Sequence, residues 1–333
     1  MDKELFYGKG VGVMKKATKA WLITAASLVL IGCILFAGVM STLGWDFAKL
    51  STVRFETNTH DVTEPFGNIS VVTDTADIVF ALSDDGKCSV ECYEEENAKH
   101  LVTVENGTLT VKVNEQKSLY DYIGFYFGSP KITVYLPKAE YSALSVKGGT
   151  CSVEIPKGFT FESADISLST GDVDFSAAAH KTVKIKTSTG NISAEDTSAG
   201  CLDLSVTTGK ITVSGVACTG DINVGVSTGK ADLTDVSCKN VISDGTTGSI
   251  SMNHVIAENK FSVERSTGDV KFKGCDAAKL YVKTSTGNVT GSLLTDKVFI
   301  TETGTGKIDV PKTSVGGRCE INTGTGDIEI KIN

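Results

Sequence analysis

Apolar and polar positions alternate along most of the chain, and this alternation recurs every 19 or 20 residues. Each repeat contains a Thr-Gly step, with apolar residues mostly four and six positions before the Thr and three and five positions after it. Apolar residues two apart on both sides of a glycine predict two short strands that meet at a corner, each with one face inward. The threonines of these steps are Thr170, Thr189, Thr208, Thr228, Thr247, Thr267, Thr286, Thr305 and Thr325.

A unit of this length cannot bury a core on its own, so the repeats are predicted to stack into an all-β fold, a parallel β-helix or β-solenoid. Each strand is expected to pair with the equivalent strand of the next unit, about 4.8 Å away. The corner glycines, from Gly171 to Gly326, supply the positive φ that a sharp bend needs. Thr150 is interpreted as a degenerate first copy, and the regular solenoid repeats are assigned to residues 144–333.

Residues 46–143 are rich in strand-forming residues but lack the regular period. We interpret them as irregular N-terminal coils or a small β cap, because a solenoid needs its open end shielded. Asn106-Gly107, between two alternating apolar segments, predicts a hairpin turn. Asp84-Asp85-Gly86 predicts a second turn.

One segment of this region, residues 118–130, is irregular and rich in aromatic side chains. Exposed aromatic residues at the end of a solenoid are suited to binding a glycan or a protein, so the segment is a candidate partner-binding loop. The alternative is that these side chains cover the apolar end of the first coil. The aromatic residues are Tyr120, Tyr122, Phe125, Tyr126 and Phe127.

Residues 20–43 form an uninterrupted segment without charge. Its 24 residues are enough to cross a hydrocarbon core of about 30 Å as a helix. Lys15, Lys16 and Lys19 precede it, so the positive-inside rule places residues 1–19 in the cytoplasm and the solenoid outside the cell. The chain is therefore predicted to be a single-pass membrane protein whose residues 20–43 contact the lipid bilayer.

Two other interpretations of the apolar segment stay open. A cleavable signal peptide would have a shorter apolar core and a small-residue cleavage site, and no convincing site follows here. The sequence Leu30-Ile31-Gly32-Cys33 fits a bacterial lipobox, in which Cys33 would be lipidated. Either way, the β region is expected to be tethered to a membrane.

Charge is divided unevenly along the chain. Residues 1–45 contain five lysines and two acids, a net charge of +3, which leaves −11 of the total of −8 for the remainder. Because an acidic domain repels phosphate backbones, nucleic acid is not expected as a partner. The nine cysteines are scattered without CxxC pairs, so most are predicted to be small buried residues, with one disulfide left open.

No catalytic, cofactor-binding or metal-binding residue is predicted. The four histidines lie far apart and have no companions at catalytic or metal-ligand spacing. A polysaccharide-active β-helix enzyme would need long loops between its coils, and a period of 19 or 20 residues leaves no room for them. The histidines are His60, His100, His180 and His254.

The Lys-flanked apolar segment, the following Gly44-Trp45-Asp46 and the tandem Ser-Thr-Gly coils together resemble a bacterial adhesin family of β-strand repeats, domain-of-unknown-function family 4097. The resemblance covers roughly residues 50–333. It implies a parallel β-solenoid with an extracytoplasmic role and supplies no catalytic residue.

The leading hypothesis is therefore a membrane-anchored, non-enzymatic surface protein, an adhesin-like binding or structural module for a cell-surface glycan or protein. An alternative is a component of an envelope-stress or signalling system, in which residues 1–19 contact a cytoplasmic partner. The third hypothesis is a polysaccharide-active β-helix enzyme.

Overall fold

A computed structural model of the chain describes residues 16–50, 54–114 and 128–333. The chain divides into two compact units, an N-terminal helical unit and a β unit that begins at Arg54. The helical unit contains helix α1 (Lys16–Thr42), 27 residues long, in which an 18-residue stretch has a mean hydropathy of 2.5; this length and composition are sufficient for a membrane span. A single 3-10 turn, Phe47–Leu50, follows it.

Helix α1 ends in a glycine cap. Gly44 adopts a φ of +67°, which is accessible to glycine at little cost. The N–H of Trp45 donates to the Met40 carbonyl oxygen at 2.8 Å, and the N–H of Gly44 donates to that of Ser41 at 3.3 Å. These two bonds form a Schellman motif, which satisfies carbonyl groups that the end of a helix leaves free.

Among its described residues, the β unit contains 24 strands that form one continuous set of paired strands. The strands at its N-terminal end are β1 (Phe55–Val62), β2 (Asn68–Thr73), β3 (Asp77–Leu82), β4 (Cys88–Glu95), β5 (His100–Glu105), β6 (Thr108–Val113) and β7 (Lys131–Leu136). The strands of the repeats are β8 (Glu140–Thr150), β9 (Val153–Ile155), β10 (Thr160–Thr170), β11 (Val173–Phe175), β12 (Ala178–Ala179), β13 (Thr182–Thr189), β14 (Ile192–Glu195), β15 (Ser198–Ala199), β16 (Cys201–Cys218), β17 (Asp221–Thr247), β18 (Ile250–Thr267), β19 (Val270–Thr286), β20 (Val289–Leu293), β21 (Lys297–Thr305), β22 (Ile308–Asp309), β23 (Gly317–Thr325) and β24 (Ile328–Ile332).

The repeats stack in parallel, with the corner of each coil against the corner of its neighbour. Thr189 pairs with Thr208, and Thr208 pairs with Thr228. The nine corner glycines, Gly171 to Gly326, have φ values between +132° and +157°. The apolar positions of the repeats lie in one continuous buried core. The prediction of a parallel β-solenoid is therefore confirmed, and Thr150 is in register with Thr170 as expected for a first copy.

Inward-facing threonines stabilise the corners. Thr187, Thr284 and Thr323 are at most 5% exposed. The Thr187 hydroxyl donates to the Gly171 carbonyl oxygen at 3.2 Å, and the Thr323 hydroxyl donates to that of Gly287 at 3.0 Å. Because a buried polar group without a partner is costly, these bonds allow a hydroxyl to occupy an otherwise apolar ladder.

The cysteines follow the predicted pattern. All nine are unpaired, and seven of them are buried. Cys218 lies in register with Ala199, and Cys238 lies in register with Ala257, so these thiols belong to a ladder of small buried residues. The disulfide that the sequence left open is not formed in the structure.

The order of the coils departs from the order of the sequence at the C-terminal end, so the expectation of successive pairing is wrong there. Strand β19 pairs with β23 and not with β21, and Thr286 is in register with Thr325. Strand β23 pairs on its other side with β21. The final coil is therefore inserted between its two predecessors. As a result, Ile308 at a normally buried position of the outer coil is 42% exposed.

The N-terminal end shows a related rearrangement. Strand β2 lies between β6 and β8, and β3 lies between β7 and β9, all in parallel. Antiparallel pairs then extend the edge, with β4 against β7, β1 against β4, and β5 against β6. The predicted turns are confirmed, because Asn106, Gly107 and Gly86 all have positive φ.

Candidate functional site

The five aromatic residues proposed as a partner-binding loop, Tyr120 to Phe127, lie outside the described residues. Their role stays a prediction. The regular coils instead contain a polar groove, which is the candidate site.

The groove runs across strands β13, β16, β17, β18 and β19 and has a volume of about 630 Å³. Its walls are the outward-facing charged residues three positions before the corner threonines, which are Lys186, Asp244, Glu264 and Lys283. Hydroxyl groups of Thr207, Ser227, Thr246, Ser266 and Ser285 line one side. We call this surface, together with Arg265, the Arg265 groove.

The groove exists because the outward-facing ladder three positions before the corner threonines has small residues on its middle coils. Lys186 is in register with Ser205, and Ser205 is in register with Gly225. On the next two coils, Asp244 is in register with Glu264. The short Ser205 side chain and the bare backbone of Gly225 therefore form a depression between longer charged side chains.

A buried arginine lies beneath this depression. Arg265 occupies an inward position of its coil, in register with Gly245 and Thr284, and is 5% exposed. A Cβ atom at Gly245 would overlap the Arg265 guanidinium, so only glycine leaves room for it. The coil that contains Gly245 also supplies Ser243, at a position where most repeats have Ile, Leu or Val.

Hydrogen bonds hold the guanidinium group. Arg265 Nη2 donates to Ser243 Oγ at 2.7 Å, and Ser243 Oγ donates to the Val224 carbonyl oxygen at 3.0 Å. Arg265 Nε has no partner among the residues that the structure describes. Burial lowers the pKa of Arg265, and the Asp244 carboxylate opposes that change. Arginine nevertheless stays protonated in proteins, so the groove contains a fixed buried positive charge.

The chemistry of the groove is that of binding. Its charged side chains are three cationic and two acidic, within a β unit that is strongly acidic overall. Of the residues described as lining it, none is a histidine or a cysteine. Hydroxyl groups and side chains of both charges can donate and accept hydrogen bonds along an extended polar ligand.

Sequence reasoning missed this groove, although three departures from the repeat pattern mark it. They are Ser243 at an apolar position, Gly245 beside it, and a charged Arg265 at an inward position. Each departure alone is compatible with a local irregularity. Only the register of adjacent coils shows that they compensate one another.

A second polar group lies at the N-terminal end of the β unit, where Cys92, Glu94 and His100 are close enough to hold a metal ion. Spacing along the chain gives His100 no companions, because it does not show which strands become neighbours. The signal was the pair Cys92 and Glu94 on one face of a strand, followed by a histidine after a turn.

Comparison with known proteins is consistent with the fold. The family model described as Toastrack DUF4097 matches residues 66–229 and 219–333. None of the curated proteins compared with the chain matches it.

Solved structures also resemble the chain. A protein named as a putative adhesin from Parabacteroides distasonis is 11% identical, with a TM-score of 0.50 over 84% of this chain and 98% of that chain. A protein with the same name from Bacteroides fragilis is 16% identical, with a TM-score of 0.43 over 84% of this chain and 97% of that chain. A protein named as a lipid-binding protein from P. distasonis is 20% identical, with a TM-score of 0.46 over 71% of this chain and 94% of that chain. At these identities the likeness concerns the fold alone.

Proposed function

The chain belongs to the Toastrack DUF4097 family, and we propose from this premise that it is a membrane-anchored, extracytoplasmic binding module. In this proposal helix α1 anchors the protein in the bilayer, and the solenoid displays the Arg265 groove outside the cell. The ligand is an extended glycan. A solved structure of similar fold is named as an adhesin, which agrees with a binding role on a cell surface.

The anchoring part of the proposal rests on helix α1. Its most apolar 18-residue stretch has a mean hydropathy of 2.5, and the side chains of Trp21, Leu30 and Leu35 are more than half exposed to solvent. An apolar surface of this size is stable when lipid covers it. Lysines before the helix support a cytoplasmic N-terminus.

The binding part rests on a single observation, the Arg265 groove. A stack of identical coils would present a level surface, yet here a ladder of side chains is interrupted above a buried arginine. Repeating strands place hydroxyl and charged groups about 4.8 Å apart, close to the length of one sugar unit in an extended chain. A glycan that crosses the coils therefore meets a recurring hydroxyl group, from Thr207, Ser227, Thr246, Ser266 and Ser285.

A non-catalytic role agrees with the chemistry of the groove. The described lining residues offer no histidine or cysteine as a base or nucleophile. Asp244 and Glu264 are the acids present, and they are adjacent in register on one wall. A pair of carboxylates for glycoside hydrolysis must instead stand on opposite sides of the scissile bond.

Blocking the groove tests the binding proposal. A Cβ atom at Gly225 would make ordinary contacts with Ser205 Cβ at 3.7 Å and Asp244 Oδ2 at 3.6 Å, so Gly225→Gln fills the depression without strain. Ser237→Gln is the control, since Ser237 is exposed on another face of the same strand. Both variants of the full chain, in detergent, are applied to a glycan array alongside the wild type.

We expect reproducible glycan binding that Gly225→Gln abolishes and Ser237→Gln retains. Equal binding by wild type and Gly225→Gln would refute the groove as the site. Binding to protein ligands with none to glycans would refute the choice of ligand.

Topology is tested separately. A tag placed after Asn333 should be removed from intact cells by a protease that cannot enter them. If the tag is cleaved only after lysis, the extracytoplasmic orientation is wrong.

A further inference from the structure

The N-terminal end of the β unit contains a buried polar cluster that the proposed binding function does not use. Cys92 and Glu94 lie on the inward face of β4, and His100 begins β5. The three residues are 0%, 1% and 6% exposed, respectively. Charged and polar side chains are seldom buried this completely unless hydrogen bonds or a metal ion satisfy them.

Three hydrogen bonds fix the position of the Glu94 carboxylate. Its Oε1 accepts from Asn58 Nδ2 at 2.8 Å. Its Oε2 accepts from the backbone N–H of His100 at 2.5 Å and lies 2.7 Å from His100 Nδ1. The cluster is therefore built by side chains from β1 and β4 together with the first residue of β5.

The imidazole of His100 has one nitrogen to spare. With Nδ1 donating to Glu94, the neutral ring presents a lone pair at Nε2. That atom is buried and has no hydrogen-bond partner among the residues that the structure describes. A metal ion held by both Glu94 and His100 would replace the hydrogen bond between them and bind Nδ1, with the ring proton carried at Nε2.

We propose that Cys92, Glu94 and His100 form a binding site for a thiophilic divalent metal ion of the Zn²⁺ class. One ligand atom from each residue, the Cys92 sulfur, a Glu94 oxygen and a His100 ring nitrogen, lies within 4.8 Å of the other two. Ligands around tetrahedral zinc stand at about 2.0–2.3 Å from the metal and so about 3.5 Å from one another. Small side-chain rotations would bring these three atoms to that spacing.

Thiolate and imidazole ligands together select zinc over magnesium or calcium, which bind oxygen. Full burial indicates a structural role. The ion would join β4 to β5 at the end of the β unit, where antiparallel strands replace the parallel coils. Zinc in such positions stabilises small structural elements that have little core of their own.

Cobalt substitution tests the site in the full chain, purified in detergent with a reductant and stripped of metal by a chelator. Co²⁺ bound by a thiolate gives a charge-transfer absorption that carboxylate or imidazole ligands alone do not give. The variants are Cys92→Ala and His100→Gln. Cys88→Ala is the matched control, because Cys88 is buried on the same face of β4 outside the cluster.

We expect one equivalent of Co²⁺ with thiolate charge transfer, displaced by Zn²⁺ and unchanged in Cys88→Ala. Cys92→Ala should lose the absorption, and His100→Gln should weaken binding at least about 10-fold. No charge-transfer band in the wild type overturns the proposal, even if a variant fails to fold. A band that survives in Cys92→Ala, or one that disappears in Cys88→Ala, overturns it as well.

Discussion

Two glycines of the same coil, four residues apart, should respond in opposite ways to alanine. Gly229 is a corner glycine with a φ of +140°, and a Cβ atom there would overlap the Gly209 carbonyl oxygen of the adjacent coil. Gly225 lies in the floor of the Arg265 groove, where a Cβ atom would have no neighbour closer than 3.6 Å. The pair separates the requirement for glycine at the corner from the general cost of glycine in a strand.

The magnitude follows from two effects at the corner. A side chain at a φ of +140° costs about 1–3 kcal/mol, because only glycine populates that region freely. The overlap with Gly209 forces a backbone shift that costs about 1–3 kcal/mol more. Gly229→Ala should therefore lower the free energy of unfolding by about 4 kcal/mol. Gly225→Ala should raise it by about 0.5 kcal/mol, since alanine loses less backbone entropy on folding.

The assay is urea unfolding of the full chain in detergent, followed by the far-ultraviolet circular dichroism of the strands. A change in midpoint with an unchanged slope reports stability, whereas a changed slope reports loss of cooperativity between coils. If the free energy of unfolding of Gly229→Ala lies within about 1 kcal/mol of the values for the wild type and for Gly225→Ala, the reasoning about stacked corners is wrong.

Three other perturbations test the packing at the C-terminal end and the buried thiols. Ending the chain at Pro311 removes β23 and β24, which are the strands that pair with β21 and β22. The coil of β21 and β22 should then become sensitive to limited proteolysis, because its partner is the final coil and not the preceding one. Resistance of that coil would contradict the inserted order. Lys297 is 2% exposed and its Nζ lies 2.7 Å from Asp276 Oδ1. Asp276→Asn leaves the buried Lys297 charge unpaired and should lower the free energy of unfolding in urea by about 3 kcal/mol, whereas Lys297→Met removes that charge and should be near neutral. Equal losses in the two variants would refute this reasoning. Burial raises the pKa of the thiols of Cys218, Cys238 and Cys319 to about 12, so the unfolded chain ionises them above pH 9 while the folded chain does not. Stability should be full below pH 9 and fall as the pH rises toward 12, by about 1 kcal/mol per thiol at pH 10, and a variant with alanine at all three positions should show a shallower fall in its urea midpoint.

The local features of the fold could be predicted from the sequence because they depend on residues close together in the chain. The Thr-Gly step requires positive φ at its glycine, and alternation about it assigns each apolar residue to the inward face. The helix was predicted for the same reason, since an uncharged segment of 24 residues needs no partner strand to be recognised. The Asn106-Gly107 turn is equally local.

The candidate sites could not be predicted, because each depends on which strands become neighbours. Arg265 is acceptable at an inward position only because Gly245 and Ser243 of the adjacent coil make room and accept its hydrogen bond. His100 contacts Glu94 across a turn, and Asn58 binds Glu94 from β1, a strand that is remote in the sequence. Neither relationship has a fixed spacing in the sequence.

The repeat, the inward and outward faces of its strands and the apolar helix follow from the order of residues along the chain. The tertiary structure alone decided the order of the coils at the two ends, where β23 inserts between β19 and β21 and β2 inserts between β6 and β8. The physical reason is that parallel strands of equal length and similar apolar pattern offer the same backbone hydrogen bonds to any neighbour. Periodicity therefore determines the conformation of each coil, and packing at the ends selects which coils pair with one another.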